Sequence, residues 1–235
     1  MIRYAKLPLV LNVKAVQSEL SNLKGEWQAH FNRYHYEGSW TVLALRSPGG
    51  SDKNIIPDLL SDSAYEDTAF MESFPSVAEL LSGFNCEVMA VRLLNLQAGA
   101  IIKPHRDQEL AFEKGEARLH FPVITNDGVK FYIENERIPL QEGDCWYMNA
   151  NLIHSVANEG DTDRIHLVID CKVNDWLSDM IMSSEVVSVK AEVADNSLYQ
   201  VIEELRLQNT ASSLRLAAEM ELQLNETFQD KNIIT

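Results

Sequence analysis

From residue 86 onward, apolar and polar positions alternate in short runs closed by turn-forming residues, the period of strands rather than helices. Residues 86–94 read as a strand and Gly99 as a turn. Further strands follow at about 100–105, 117–124, 129–133, 144–149, 153–157 and 164–171. Asn126-Asp127-Gly128, Glu142-Gly143-Asp144 and Asn158-Glu159-Gly160-Asp161 separate them, and these residue types tolerate the tight backbone of turns. Many short strands with regular turns predict a mainly β domain, a sandwich or a jelly roll.

The flanks read differently. Residues 12–32 predict a helix, because Val13, Val16, Leu20 and Leu23 recur at helical spacing and Trp27 continues the stripe. Trp40-Thr41-Val42-Leu43-Ala44-Leu45 is strand-like, and Ser47-Pro48-Gly49-Gly50-Ser51-Asp52 is a loop. Residues 55–84 read as short helices and loops, with Phe74, Val77, Leu80 and Leu81 facing a core. After about residue 174 the helical period returns. Leu198, Val201, Ile202 and Leu205 form one stripe; Leu214, Ala217, Ala218, Met220 and Leu224 form another. The expected division is a β domain over 1–176 and a helical appendage over 177–235, a packing or homodimer element by its amphipathic pattern.

A chain of 235 residues fits such a plan, and its apolar (46%) and charged (23%) fractions are ordinary. The net charge of −15 is not. Nucleic acids and anionic membranes are bound through Lys and Arg, so this balance argues against both as partners. The acidic residues are spread along the chain and read as a solvated surface. Cys86, Cys145 and Cys171 are too few and too scattered for a disulfide scaffold or a zinc site. Together with a run of apolar residues near Met1 that lacks the features of a signal peptide, they lead to the expectation of a cytoplasmic protein.

Candidate chemistry begins at Lys103-Pro104-His105-Arg106-Asp107. On a strand, residues i and i+2 share a face, so His105 and Asp107 can reach one metal ion. The third ligand must come from elsewhere in the sheet, and His154, following a strand, is well placed. Two histidines and one carboxylate on one side of a metal leave positions open, the arrangement of non-haem iron(II) oxygenases. Those positions would take a keto acid through two atoms and dioxygen at a third. His-x-Asp alone is common by chance; Arg164 strengthens the reading. It lies ten residues after His154, across a turn centred near Glu159, so a hairpin centred there sets the two opposite each other. A buried arginine in that place needs an anion. The remote carboxylate of a dicarboxylic keto acid would supply one, in a contact worth roughly 1.5–3 kcal/mol. The competing reading is a surface pair of Arg164 with Asp161 or Asp163. Arg118-Leu119-His120-Phe121 and Arg164-Ile165-His166-Leu167 repeat one alternation. Facing inward, they would form a pocket for a dianion; facing outward, a solvated surface.

The order Pro104-His105-Arg106-Asp107, Arg118-Leu119-His120-Phe121-Pro122-Val123, Gly143-Asp144-Cys145-Trp146 leading to His154, and Arg164-Ile165-His166-Leu167-Val168-Ile169-Asp170 resembles the aspartyl/asparaginyl β-hydroxylase family over about residues 86–176. The resemblance implies a double-stranded β-helix, the cupin-like jelly roll, here with flanking N- and C-terminal helices. It also implies use of iron(II), 2-oxoglutarate and dioxygen. By this likeness His105 and His154 match the metal histidines and Arg164 the arginine for the remote co-substrate carboxylate. Arg118 and His120 match positions near the bound co-substrate, and His166 is expected to assist there. Vertebrate peptidyl members lack the carboxylate ligand, whereas Asp107 is present here. In that respect the sequence is more similar to bacterial members, including proline cis-hydroxylases, which act on a free amino acid. The expected reaction is hydroxylation of an unactivated C–H bond of a free amino acid or related small molecule. Arg92, Trp40, Arg46 and Trp146 are candidate substrate residues, Arg92 for a carboxylate. A peptidyl Asp or Asn is the second substrate class. The rivals are a non-catalytic jelly-roll module that binds a metal or anion, and a cupin-like metal enzyme without a keto acid.

Overall fold

Successive strands of the chain are dealt in turn to two antiparallel sheets. A computed structural model describes residues 1–55, 63–107, 110–184, 186–189 and 196–231. It divides into two units, Met1–Lys190 and Ala191–Thr235. The first unit opens with β1 (Ile2–Leu7), α1 (Val13–Ser21), β2 (Gln28–Ala29), β3 (Tyr36–Glu37), β4 (Trp40–Pro48), β5 (Tyr65–Asp67) and α2 (Pro75–Ser82). Then come β6 (Val88–Leu96), β7 (Ile101–His105), β8 (Glu116–Ile124), β9 (Val129–Ile133) and β10 (Glu136–Arg137). It ends with β11 (Cys145–Met148), β12 (His154–Asn158), β13 (Arg164–Lys172), α3 (Asp175–Met182) and β14 (Val186–Val189).

The large sheet has the order β14-β1-β11-β8-β13-β6-β4-β2, with β5 beside β4; the small sheet is β10-β9-β12-β7-β3. From β6 to β13 the chain crosses between the sheets at nearly every turn, the connectivity of a jelly roll. The large sheet is buried on both faces. One face, with Val91, Leu93, Leu119, Phe121, Leu167 and Ile169, packs with Val16 of α1, Val77 of α2, and Leu177 and Ile181 of α3. The other, with Val42, Leu94 and Val168, packs with Ile102, Phe131, Ile133 and Val156 of the small sheet. The polar residues at inward positions of the large sheet, Arg92, Arg118, His120, Arg164, His166 and Asp170, are therefore buried and not solvated.

From β6 to β13 the strands lie where the period placed them, except for the two-residue β10, which the pattern did not predict; the flanks differ more from expectation. The helix expected over 12–32 stops at Ser21. The Ser18 carbonyl accepts hydrogen bonds from Ser21 Oγ (2.7 Å) and Asn22 Nδ2 (2.8 Å), and such side-chain competition ends helices. Residues further on enter the sheets as β2 and β3. Strands β1 and β14, which went unread, extend the large sheet beyond β11. In the 55–84 stretch Phe74 and Val77 are fully buried and Leu80 and Leu81 partly so; positions 56–62 lie outside the described residues. The first unit runs past the boundary expected at 176, because Leu177 and Ile181 belong to its core and β14 pairs with β1. The second unit contains α4 (Asn196–Gln208) and α5 (Ala211–Lys231), joined by an Arg206–Glu221 ion pair at 2.6 Å. Ile202 and Ala217 are buried, whereas Val201 and Leu214 are 42% and 43% exposed, so the two stripes are narrower than expected. The side chains of Leu198 and Leu224 are outside those described. Among the described residues no helix is long and apolar enough to cross a membrane, and all three cysteines are free.

Two turns clasp each other at one end of the sheets. Asn158 Nδ2 donates to the Leu96 (3.0 Å) and Thr162 (2.8 Å) carbonyls, and Asn126 Nδ2 donates to Thr162 O (3.1 Å) and Asn158 Oδ1 (3.2 Å). The approach is so close that a Cβ at Gly160 would overlap the Asn126 carboxamide, and one at Gly128 would overlap the Gly160 backbone. This clasp fixes the β12–β13 connection, and with it the placing of His154 relative to Arg164. Gly160→Ala is expected to destabilise the protein by about 1–3 kcal/mol, the range for overpacking, seen as a lower urea midpoint. An unchanged midpoint would mean the turn yields freely.

Candidate active site

His105 ends β7 and His154 begins β12, and the register of these neighbouring strands sets the two histidines opposite each other. Their ring centroids are 4.2 Å apart. Asp107 follows two residues later, anchored by its backbone N–H on the Ala150 carbonyl at 2.9 Å. The ligand atoms of His105, Asp107 and His154 all lie within 4.8 Å of one another, close enough to hold a metal ion. Each histidine donates its Nδ1–H to a backbone carbonyl, His105 to Lys103 (2.8 Å) and His154 to Leu152 (3.0 Å). That fixes both tautomers and leaves the Nε2 lone pairs for a metal. Burial, aided by His105, lowers the His154 pKa to about 4, so this ligand is neutral near pH 7. Burial pushes the Asp107 carboxyl up, but Arg118, His154, His105 and Arg92 together outweigh it and hold it at about 2. Two imidazoles and one ionised carboxylate fit a divalent first-row metal with open positions.

Arg118 is already paired with carboxylates of the chain. Its Nη1 is hydrogen-bonded to Asp107 Oδ2, and its Nε and Nη2 donate to Asp170 at 2.7 and 3.1 Å. Arg92, expected to hold a substrate carboxylate, donates Nη2 to the same Asp170 at 2.5 Å. Both cations have a carboxylate of the chain itself as partner; Arg118 still lines the cavity beside the three candidate ligands, whereas Arg92 stands behind it.

Arg164 is different. It is 1% exposed, and among the described residues no carboxylate pairs with it. Its Nη2 donates to His166 Nδ1 at 2.7 Å, its guanidinium lies 5.9 Å from the centroid of the Phe131 ring, and its buried Nε has no partner. Burial lowers its pKa to about 9. Buried His166 Nε2 and His120 Nδ1 also lack partners. Three unpaired nitrogens around a buried cation form a cradle that an anion would complete.

Arg164 reaches the metal cluster by a route other than the expected hairpin. β12 pairs with β7 and β9, β13 with β6 and β8, so His154 lies opposite His105 and Ile133 while Arg164 lies opposite Leu96. The two residues share a cavity because the sheets face each other. Trp40, His105, Asp107, Arg118, His120, His154 and Arg164 line it, with Phe131, Ile133 and Met148 among its apolar walls. Arg46 and Trp146 do not. Arg46 follows a β-bulge and pairs with Asp67 at 2.7 Å. Trp146 packs near Tyr4, ring centroids 6.0 Å apart, with Lys6 over its face.

Two neighbours of the site went unread. Asp170 obeys the same i+2 alternation as Arg164 and His166, so the strand period did point to it. His30 lies flat on Trp40, ring centroids 3.5 Å apart and planes 10° apart. Burial, then Arg92, lowers its pKa to about 3. It lay in a segment expected to be helical and carried no separate signal.

A family model described as Aspartyl/Asparaginyl beta-hydroxylase matches residues 11–173. L-proline cis-4-hydroxylase of Rhizobium meliloti (strain 1021) is 31% identical over 135 residues, 57% of this chain and 48% of that protein. L-proline cis-3-hydroxylase 2 of a Streptomyces sp is 28% identical over 137 residues, 57% of this chain and 47% of that protein. The match thus spans about half the length of these curated relatives. Among solved structures, the non-heme alpha ketoglutarate dependent epimerase SnoN from nogalamycin biosynthesis is similar at 17% identity and a TM-score of 0.45, over 72% of this chain and 77% of that one.

The buried imidazoles make stability depend on pH. In His120, burial, then Arg164, and in His166, burial, then Arg164, hold the pKa well below 6.5. Below about pH 6.5 the unfolded chain takes up protons at these residues and the folded chain does not, so stability falls as pH falls. The urea midpoint of the metal-free protein is expected to drop between pH 7 and pH 5, and His120→Gln to lessen the drop. A slope unaltered by that substitution would show that His120 titrates as a free imidazole.

Proposed function

Because the chain belongs to the aspartyl/asparaginyl β-hydroxylase family, we propose that it is an iron(II)- and 2-oxoglutarate-dependent dioxygenase hydroxylating an unactivated C–H bond of a free amino acid. The observation that carries this reading is the meeting, in one cavity, of the His105–Asp107–His154 cluster with Arg164, a buried cation without a carboxylate partner among the described residues.

His105 Nε2, His154 Nε2 and Asp107 would hold the iron. When bound, iron(II) supplies the oxidising chemistry: dioxygen is consumed as 2-oxoglutarate loses carbon dioxide to become succinate, one oxygen atom entering succinate and the other the hydroxylated product. Arg164 anchors the remote carboxylate of the co-substrate, a role suited to the planar fork of a guanidinium. His166 holds Arg164 in place by accepting a hydrogen bond from Nη2, and Phe131 supports the guanidinium face. His120, neutral and on the cavity wall, offers a further hydrogen-bonding nitrogen to the same ligand. Leu94, Ile102, Ile133, Met148 and Val156 keep the cavity apolar, which excludes water from the reacting groups. On the substrate side, Trp40 presents a buried indole N–H with no partner. The two similar proline hydroxylases are named for different ring carbons of L-proline, so L-proline is the first substrate to test.

Anaerobic titration of the iron(II)-loaded protein with 2-oxoglutarate is expected to produce the visible charge-transfer band of a chelated keto acid. Iron binding without that band would favour a different metal enzyme or a binding module. Arg164→Ala is expected to weaken 2-oxoglutarate by roughly 10–100-fold, matching a lost charge-assisted contact of about 1.5–3 kcal/mol, with iron affinity retained. An equal loss of both affinities would remove Arg164 from its assigned role. In air, L-proline is expected to stimulate succinate release; stimulation by a peptide and not by free amino acids would move the substrate to the peptidyl class.

A further inference from the structure

Behind Asp107 lies a row of alternating charges: Asp107, Arg118, Asp170, Arg92. Arg118 donates to Asp107 Oδ2 with one nitrogen and to both oxygens of Asp170 with two others. Arg92 closes the row on Asp170 Oδ2 at 2.5 Å. Asp170 is fully buried, and Arg92 and Arg118 nearly so. Two cations and two anions sum to zero formal charge, which allows the row to be buried without a net ion. Asp170 lines no part of the cavity and contacts none of the three candidate metal ligands, so the function proposed above gives it no task.

Its geometry does. Held at two points by Asp170, the planar fork of Arg118 has little freedom left, and its third contact occupies Asp107 Oδ2. The other oxygen, Oδ1, is the one turned to His105, 3.8 Å from its Nε2. A carboxylate with both oxygens free can bind a metal through either one or two.

We infer that Asp170, acting through Arg118, is a positioning residue that presents Asp107 to the metal through one oxygen only, keeping open the positions that 2-oxoglutarate and dioxygen require. The inference rests on the metal reading of the site. Cobalt(II) tests it, since its visible ligand-field absorption reports coordination without turnover. Asp170→Ala is expected to bind cobalt(II) about 10–100-fold more weakly, with an altered spectrum and a lost response to added 2-oxoglutarate. Asp170→Asn, which keeps one acceptor for Arg118, is expected to recover part of the affinity. Asp170→Ala also leaves two buried arginines against one carboxylate. A second variant, Arg92→Met/Asp170→Ala, removes one charge of each sign and is expected to recover melting temperature but not cobalt affinity. Recovery of both would reduce Asp170 to charge balance and overturn the inference. So would unchanged affinity and spectrum in Asp170→Ala. A wild-type protein that binds no cobalt(II) would overturn the metal reading itself, and this inference with it.

Discussion

Placing a charge inside a protein costs several kcal/mol unless an opposite charge lies against it, and that constraint organises the interior of this jelly roll. With both faces of the large sheet covered, Arg92, Arg118 and Arg164 have almost no access to water. Asp170 and the partly exposed Asp107 neutralise the first two. Arg164 has only a neutral imidazole and an aromatic face beside it among the described residues. One cation in excess, next to three converging metal-type ligands, is what the proposed function draws on to receive an anion that also approaches a metal.

The longer strands between residues 86 and 172 were legible because period-2 alternation and Asn/Asp/Gly turns are local signals, and locally the chain obeys them; β10, two residues long, is too short to show a period. The clustering of the three candidate metal ligands was legible for a related reason: His105 and Asp107 are two residues apart, and His154 starts the neighbouring strand. The pairing of sheets was not. A turn near Glu159 reads as a hairpin, but the strands on either side of it go to different sheets, a choice made by tertiary packing. Arg164 therefore meets the metal site across the space between sheets, not along a hairpin rung. The same limit explains Arg118 and Arg92. Strand period assigns each to one face of its strand, but only the fold shows that this face is buried and that Asp170 stands between them. Arg46 is turned outward by a bulge that no residue pattern announces. In the N-terminal segment, apolar residues at helical spacing continue past Ser21, but side-chain hydrogen bonds to the Ser18 carbonyl end the helix there.

Residues distant in the chain converge because each sheet contributes a different kind of group. The small sheet brings His105 and His154, with Asp107 just beyond β7. The large sheet brings Arg118, His120, Arg164 and His166. The clasp between Asn126 and Asn158 holds the connection that passes from one set to the other. Rigid strands position these side chains better than loops would, as suits chemistry that depends on sub-ångström placement.

This separation has a consequence for how such a site can change over evolutionary time. The proposed metal ligation and anion recognition reside on strands of opposite sheets, so under that proposal substitutions on β13 could alter the acid that is accepted while leaving β7 and β12 intact. The reverse holds for a change of metal. Arg118 is the exception, since it belongs to the large sheet and grips a carboxylate that follows the small one. It couples two otherwise independent halves, and a lineage exploring new co-substrates would be free to vary its neighbours long before it could vary Arg118.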